Sequence, residues 1–583
     1  MKTFFGWLRL ITPSLRRMNH VRIGALCLAF IPGMAFAQAP WRSELYPESW
    51  TPPWDKPFET EKLIQDFSYA GYHMGEVELP VISGPVFDVT AYEADPTGKK
   101  DSTLAIQKAI DAASAKGAGV VYLPAGTYLV SPQGTNSFVL RISHSNIVLR
   151  GAGRDKTFLF NNSYQMRLKS IILAEGDPTR WRDKPTSSPV IAITRDLLTP
   201  TISIPVASLA GFKVGDWIML RADATEEFIA EHRMTDVWGG MGKRLAGVMF
   251  QRQIVSVDEK NLRITIDVPI RYYLKTRDKA RIYLAAPHLE EVGMEGFSIG
   301  NIQHPKVKET EGWGLIDFTK EGNGAYDVHA SAAITMNHVR NSWISNIASY
   351  HPAENQTAAH ILSNGIVIQE SRGVTIADCD FERALYGGGG GNGYMFRLQY
   401  SNECLVRDSV CHYSRHGFVV AGMASSGNVF LRGTAGHTQV QVAGLGVTAG
   451  KGSDHHMYLS QSDLIDSVTL DGDFFDAHYR TSGNTFGTPA HGQTSVHSVY
   501  WNLKGLSYHP KHEYIVHSDQ ARWGYIIGTS GKVSGVATDS LAADKTAPVD
   551  FTEGVGKGEA LQPQSLYLDQ LRRRIDSKKT ATP

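Results

Sequence analysis

The sequence predicts an all-β solenoid, a parallel β-helix of stacked three-strand coils that is preceded by one helix and interrupted by a small β-rich insertion. Three observations predict it. The segments NSWISNIAS, RGVTIADCDF, NECLVRDSV and GNVFLRGT share an apolar–x–apolar–x–(Asn/Asp/Gly) pattern. They superpose at Asn346, Asp378, Asp408 and Gly433, spaced 32, 30 and 25 residues apart, within the range of solenoid repeats. SNIVLRGAG (145–153) and EEVGMEGFSIG (290–300) read as further copies, each one coil stacked about 4.8 Å above the last by parallel ladder bonds. Residues 87–130 hold a helix followed by two strands, and residues 200–286 break the repeat.

Residues 1–37 carry Arg16, Arg17 and Arg22 ahead of the apolar run IGALCLAFIPGM, which ends at the small residues Ala35 and Ala37. This is the layout of a secretory signal peptide cleaved near Ala37, with Met1 or Met18 as the start. No other apolar run is long enough to span a bilayer. The expected product is an exported protein, periplasmic or secreted. Its loss of five basic residues (Lys2, Arg9, Arg16, Arg17, Arg22) and no acidic one leaves 53 basic against 58 acidic groups. No basic field is present to recruit nucleic acid or an anionic membrane. Cys379, Cys404 and Cys411 remain, too few for a disulfide scaffold and without CxxC metal spacing.

A Pro- and Trp-rich leader occupies 38–84. In 85–199, Asp101, Ser102 and Thr103 offer N-caps. Leu104, Ile106, Ala109, Ile110 and Ala113 form an apolar face, and Gly117 stops the helix. GVVYLPAGTYLV then reads as two strands about a Pro-Ala-Gly turn. With the lead-in DFSYAGYHMGEVELP (66–80), this stretch resembles the N-terminal motif of the pectate-lyase superfamily. The resemblance implies a right-handed parallel β-helix whose first helix caps the open end of the coil, in an exported carbohydrate-active protein. Neither the acidic calcium trio nor the catalytic arginine motif of the best-known pectate lyases maps onto positions here, so the resemblance does not extend to pectate as substrate.

In 200–286, FKVGDWIMLR, QRQIVSVDE and LRITIDVPIRYYL are strand-like runs separated by a polar, helix-prone piece (Glu226–Arg244). They predict a barrel or sandwich pinned to the side of the coil. The main coil resumes over 287–548. YGGGGGNGY (386–394) is an irregular loop; it lacks the Lys-Ser/Thr and strand-to-helix context of a phosphate cradle. In the C-terminal segment 549–583, LQPQSLYLDQLRRRI (561–575) is a helix expected to dock on the coil and protect its edge.

Eleven of the 21 histidines fall between His412 and His517, less than a fifth of the chain. A cleft along the later coils is the natural reading, because a β-helix aligns side chains from successive coils on one face. On a strand through 453–459, Ser453, His455, Met457 and Leu459 would point inward, and Asp454, His456 and Tyr458 outward. The adjacent imidazoles would then face opposite sides and share no metal. His456 is the candidate for chemistry and His455 the buried, hydrogen-bonded partner. A histidine on a solenoid face can equally be merely solvated. Arg415 and His416 form a second candidate pair. Arg397 sits on the polar side of YMFRLQY, where Tyr394, Phe396, Leu398 and Tyr400 mark the apolar side; its bland alternative is an ion pair with Asp408 or Asp380. DGDFFDAHYR supplies Asp471, Asp473, Asp476, His478 and Arg480 about a bulge at Gly472, and His491 lies on a Gly/Pro loop.

Two reactions suit this inventory. β-Elimination on a uronic-acid polymer needs a base for the proton beside the carboxylate, and cations or a Ca²⁺ ion to neutralise that carboxylate. Arg397, Arg415 and Arg480 are candidate neutralisers, His416 or His456 the base, and Tyr458 or Tyr479 the proton donor. Asp454, His478 and His491 join Arg397 and Tyr479 as substrate contacts. No acidic spacing singles out Ca²⁺ ligands. Glycoside hydrolysis would instead pair carboxylates among Asp454, Asp471, Asp473 and Asp476. The wealth of His and Arg favours the lyase. A third alternative is a non-catalytic glycan-binding scaffold on the same coil. An acidic polysaccharide is the expected partner, and a homo-oligomer is compatible with such a coil.

Overall fold

A computed structural model describes residues 39–308, 318–442, 446–480, 490–540 and 542–581. The expected signal peptide, residues 1–37, lies outside the described residues, among which no helix is long and apolar enough to cross a membrane. The chain winds as a right-handed parallel β-helix. Three ladders of parallel strands form its faces. The first runs from Val86–Asp88 through Gly119–Leu123, Val339–Ser345 and Leu464–Asp466 to Phe551–Glu553. The second runs from Thr97–Asp101 through Gly126–Val130 and Asp380–Glu382 to Thr469–Asp471. The third is a ten-stranded sheet from Phe138–Ile142 to Val536–Ala537.

The repeat pattern marks the corner between the first and second ladders. Asn346, Asp378 and Asp408 there adopt φ of 51, 54 and 51°, a left-handed conformation that Asn and Asp tolerate better than most residues. Each N–H at this corner donates to a carbonyl of the next coil, Asn346 to Ala377 at 3.0 Å and Asp408 to Leu431 at 3.0 Å. The fourth copy is corrected by one residue: the left-handed position is Arg432 (φ 50°), not Gly433. Arg432 also clasps Asp408 with two hydrogen bonds of 2.8 and 2.9 Å.

Alternation sets what the first ladder buries. Val406, Phe430, Ile465, Tyr500 and Ile526 stack in register and point into the central core. Their neighbours Leu405, Val429, Leu464, Val499 and Tyr525 point outward, where Tyr46, Phe67, Leu566 and Tyr567 cover them. Burying one such side chain is worth about 1.5–3 kcal/mol, so the leader and the C-terminal helix Leu566–Ala581 hold this face by apolar cover. The helix therefore lies on the outer face of the first ladder, where Tyr567 N–H donates to Asp466 at 2.8 Å, and not over the coil's last edge.

At the other end, helix Thr103–Ala115 presents Ile106, Ala109, Ile110 and Ala113 to the core. Leu104, expected on that face, is 69% exposed, and Thr103 is buried in its stead. Asp101 caps the helix by accepting from Thr103 N–H at 2.8 Å.

The β-rich insertion is a six-stranded antiparallel sheet, drawn from between Ile191–Ala192 and Arg281–Leu284, with short helices at Glu226–Glu231, Thr235–Trp238 and Gly242–Leu245. Charge and apolar contact both fix it to the coil. Buried Glu403, on the coil, accepts two hydrogen bonds of 2.9 Å from Arg252 and one of 3.2 Å from Arg271. Phe228 and Trp238 of the insertion share a cluster with Tyr458, Leu459, Tyr479 and Val496 of the coil.

Candidate active site

The third ladder carries a cleft of about 860 Å³. Its strands Tyr394–Gln399, His416–Ala421, Ser453–His455, Phe475–Ala477 and Val516–Ser518 align Arg397, Val419, Asp454, Asp476 and His517 in one row across successive coils. Tyr394 and His416 pair beside that row. Strand pairing thus brings residues more than a hundred positions apart to one wall.

The strand that starts at Ser453 ends at His455, and the chain then turns through Tyr458 and Leu459, both left-handed at φ 54 and 53°. This turn swings His456 back beside Asp454, whose Oδ2 lies 2.9 Å from His456 Nδ1. A carboxylate can only accept, so Nδ1 carries the proton and Nε2 presents its lone pair. Tyr394 donates its hydroxyl to that Nε2 at 2.9 Å. Burial first, and then the cations Arg480, Arg415 and Arg397 together with His491, hold the His456 pKa well below the usual imidazole range. The result is a chain of Asp454 carboxylate, neutral His456 and Tyr394 phenol. Arg480 steadies its far end, donating to Asp454 Oδ2 at 2.5 Å.

Cations surround the phenol. The Arg397 guanidinium lies 5.0 Å from the Tyr394 ring centroid and that of Arg415 5.8 Å. Arg415 donates to the carbonyls of Gly388 and Asn392 at 3.2 and 3.3 Å. Arg397 pairs with neither Asp408 nor Asp380, and its Nε is buried with no hydrogen-bond partner among the described residues. Arg244, from the insertion, and Lys451 also line the cleft. His491 donates Nδ1–H to the His456 carbonyl at 3.1 Å, which leaves its Nε2 lone pair free; burial pushes its pKa down to about 4. Trp238 of the insertion holds the His491 loop by donating to its carbonyl at 3.1 Å.

One coil further, Asp476 Oδ1 lies 2.6 Å from His478 Nδ1 and 3.3 Å from His517 Nδ1. Burial opposes the Asp476 charge, but His478, His517 and Arg480 outweigh it and hold that carboxyl far below its ordinary range.

Arg397, Arg415, His456, His478, Tyr479, Arg480 and His491 therefore all line the cleft, with Asp454 directly behind. Three expected catalytic residues do not. Tyr458 packs in the apolar seam with the insertion, because the turn carries it away from the outward face. Asp473 is fully buried and accepts from Ser453 Oγ at 3.0 Å and Phe474 N–H at 2.8 Å; it braces a turn. His416 is fully buried behind Tyr394 and donates Nδ1–H to the Gly452 carbonyl at 2.7 Å. Asp471, a hydrolytic candidate, lies on the second ladder and accepts from Ser507. His455 is buried, with Nδ1 3.0 Å from Ser460 Oγ. Tyr394, expected on the apolar side, lines the cleft instead. Met395 and Phe396 both enter the core, so alternation breaks there and Tyr394 joins Arg397 on the cleft wall.

Residues 86–199 match the family model of rhamnogalacturonase A/epimerase, pectate-lyase-like proteins. That stretch, the first coils and their capping helix, is what this chain shares with pectate-lyase-like proteins. Alginate lyase 7 of Azotobacter vinelandii is 40% identical to it over 95 residues, 16% of this chain and 11% of that one. Mannuronan C5-epimerase AlgE3 of the same organism is 40% identical over 101 residues, 17% and 6% of the two chains. The matched stretch is thus a small part of either relative. Among solved structures, the A-module of the Azotobacter vinelandii mannuronan C-5 epimerase AlgE6 aligns with 80% of this chain and 94% of its own, at 14% identity and a TM-score of 0.37. The tailspike protein gp49 of Pseudomonas phage LKA1 aligns with 81% and 84%, at 11% identity and a TM-score of 0.38.

The cleft, which lies outside the matched stretch, suits some chemistries better than others. Its only carboxylates among the described lining residues are Asp476, engaged by two imidazoles, and Asp539. That is a poor set for Ca²⁺, which takes six to eight oxygens. The carboxyls that burial raises toward neutrality, Asp463 to about 7 and Asp466, Asp473 and Asp550 to about 6, do not line the cleft.

Proposed function

We propose that this cleft removes the C5 proton of a uronic acid in an acidic polysaccharide and expels the 4-O-linked sugar by β-elimination, as an exported polysaccharide lyase. The observation that carries the reading is the Asp454–His456–Tyr394 chain on a wall beside Arg397, whose Nε has no partner among the described residues. Elimination beside a carboxylate needs that negative charge neutralised as the proton leaves, and Arg397 and Arg415 offer guanidiniums 5.0 and 5.8 Å from the centroid of the phenol ring. Because Tyr394 covers His456 Nε2, proton transfer to substrate runs through the hydroxyl. His456 takes the phenol proton, and Asp454 stabilises the imidazolium. The phenolate removes H5, the electron pair moves into the C4–C5 bond as C4–O4 breaks, and Tyr394 returns the proton to O4. His456 then reloads Tyr394, so the site ends as it began.

The matches to both an alginate lyase and mannuronan C5-epimerases support a second reading with the same first step. There, C5 is reprotonated from the opposite face and no bond to O4 is lost. The hydrolase alternative is weaker, because a general acid must be a carboxyl kept protonated and the raised ones lie away from the cleft.

The test is ultraviolet absorbance of the protein with alginate, pectate, glucuronan and glycosaminoglycans, with and without calcium, alongside proton NMR in D₂O. Rising absorbance of an unsaturated uronate is the expected result. Deuterium at C5 without absorbance would replace the lyase by the epimerase, and new reducing ends without either would refute both.

A further inference from the structure

The second titratable cluster of the cleft has no part in the proton chain. Asp476 and His517 are register partners on neighbouring coils, and His478 stands two residues beyond Asp476. One ligand atom from each of the three lies within 4.8 Å of the others. We propose that Asp476 Oδ1, His478 Nδ1 and His517 Nδ1 form a binding site for a first-row divalent transition-metal ion, with open positions toward the cleft.

The donor set argues for this class of ion. Two imidazoles and one carboxylate suit Zn²⁺ and its first-row neighbours, whereas Ca²⁺ and Mg²⁺ seek oxygen. Ligand atoms about 2.0–2.1 Å from a tetrahedral ion stand about 3.3 Å apart. His517 Nδ1 is already 3.3 Å from Asp476 Oδ1, and His478 Nδ1, at 2.6 Å, needs to withdraw by less than the width of an atom. The other carboxylate oxygen, Oδ2, lies 2.5 Å from the same His478 Nδ1 and 3.8 Å from Arg480, so the imidazole must turn toward one oxygen to make room for the ion, while the guanidinium stands beside the carboxylate without occupying the site. Asp476 and His517 are nearly fully buried and His478 is partly exposed, which leaves one side for entry. The other group of similar composition, His416, Asp454 and His456, is spoken for: His416 Nδ1 donates to Gly452 and Arg480 occupies Asp454.

The site does not depend on which reaction the cleft performs, and metal binding is measured without polymer. Purified full-length protein is stripped with chelator, titrated with Zn²⁺ by calorimetry, and loaded with Co²⁺ for its visible d–d spectrum. One equivalent of Zn²⁺ and a Co²⁺ spectrum of low-coordinate type are expected. His517→Ala and His478→Ala should each weaken Zn²⁺ binding at least tenfold, and His491→Ala should leave it unchanged. Binding should also weaken on acidification, because protons compete for the imidazoles. Circular dichroism identifies any variant that fails to fold, and His478→Gln, at the partly exposed position, serves as the conservative replacement. No stoichiometric Zn²⁺ in the wild type, or undiminished binding in folded His478→Gln and His517→Ala, overturns the proposal.

Discussion

Replacing Tyr394 by Phe removes one oxygen and leaves the ring, so the contacts with Arg397 at 5.0 Å and Arg415 at 5.8 Å persist. Stability and turnover then separate. The fold loses the 2.9 Å bond to His456 and leaves a buried acceptor unpaired, a cost of about 1–3 kcal/mol. If the hydroxyl is the group that exchanges protons with the polymer, turnover falls about 10²- to 10⁴-fold, or roughly 3–5 kcal/mol of barrier. KM should move by no more than about threefold, because the carboxylate is held by guanidiniums and not by the phenol. Steady-state absorbance on the polymer that wild type cleaves, with urea melts of both proteins, measures all three quantities. A folded variant that turns over at the wild-type rate refutes the proton path through Tyr394 and moves the role to the free Nε2 of His491.

His456→Ala should abolish turnover while circular dichroism shows a folded chain; wild-type activity would break the Asp454–His456–Tyr394 assignment. Arg397→Met should raise KM about 10- to 100-fold, the worth of a charge-assisted hydrogen bond, yet leave the urea midpoint unchanged or higher, since it removes a half-buried cation whose buried Nε has no partner among the described residues; a large fall in stability would mean that Arg397 is structural. Glu403→Gln should cost about 3–5 kcal/mol by leaving buried Arg252 and Arg271 uncompensated, read from the same melts. Thermal stability should fall from pH 6.5 toward pH 4. His329, His360, His455, His491 and His509 are pushed down to about 4 by burial, so in that window the unfolded chain binds protons that the folded chain refuses. Asp463, raised to about 7, and Asp466, Asp473 and Asp550, raised to about 6, oppose the trend in smaller number; a midpoint that rises on acidification would show that those histidines are charged in the fold.

The coil was legible because its corners demand left-handed residues, and Asn346, Asp378 and Asp408 recur where each rung turns. The helix at Thr103–Ala115 announced itself by its apolar face, apart from exposed Leu104. Cleft-lining residues are legible where a charged side chain has few uses other than a cleft, as for Arg397, His456 and Arg480. Tyr458 and Tyr394 depart from expectation for one reason: strict alternation holds only within the strands that impose it. The strand at Ser453 stops at His455, so the outward assignment of Tyr458 has no ladder beneath it, and Met395 and Phe396 both turn inward, which releases Tyr394 to the cleft. A three-residue strand leaves too short a period for a sequence to reveal where it ends. The pairing of Asp476 with His517 across 41 positions of chain carries no local signal at all.

The row that joins Arg397, Val419, Asp454, Asp476 and His517 assigns one contribution to each rung. Such a centre is modular in a way that a loop-built one is not. Duplicating the rung that bears Val419 would keep the parallel pairing of the ladders, yet it would move Tyr394 one storey away from His456, cutting the proposed proton path, and would draw apart the insertion's anchors at Glu403 and at Tyr458 and Leu459. Deleting the rung that bears His517 would leave that path whole and remove only the neighbouring cluster. Rung-by-rung insertion and deletion could therefore dissect, or re-space, the functions along this wall without altering a single side chain within it.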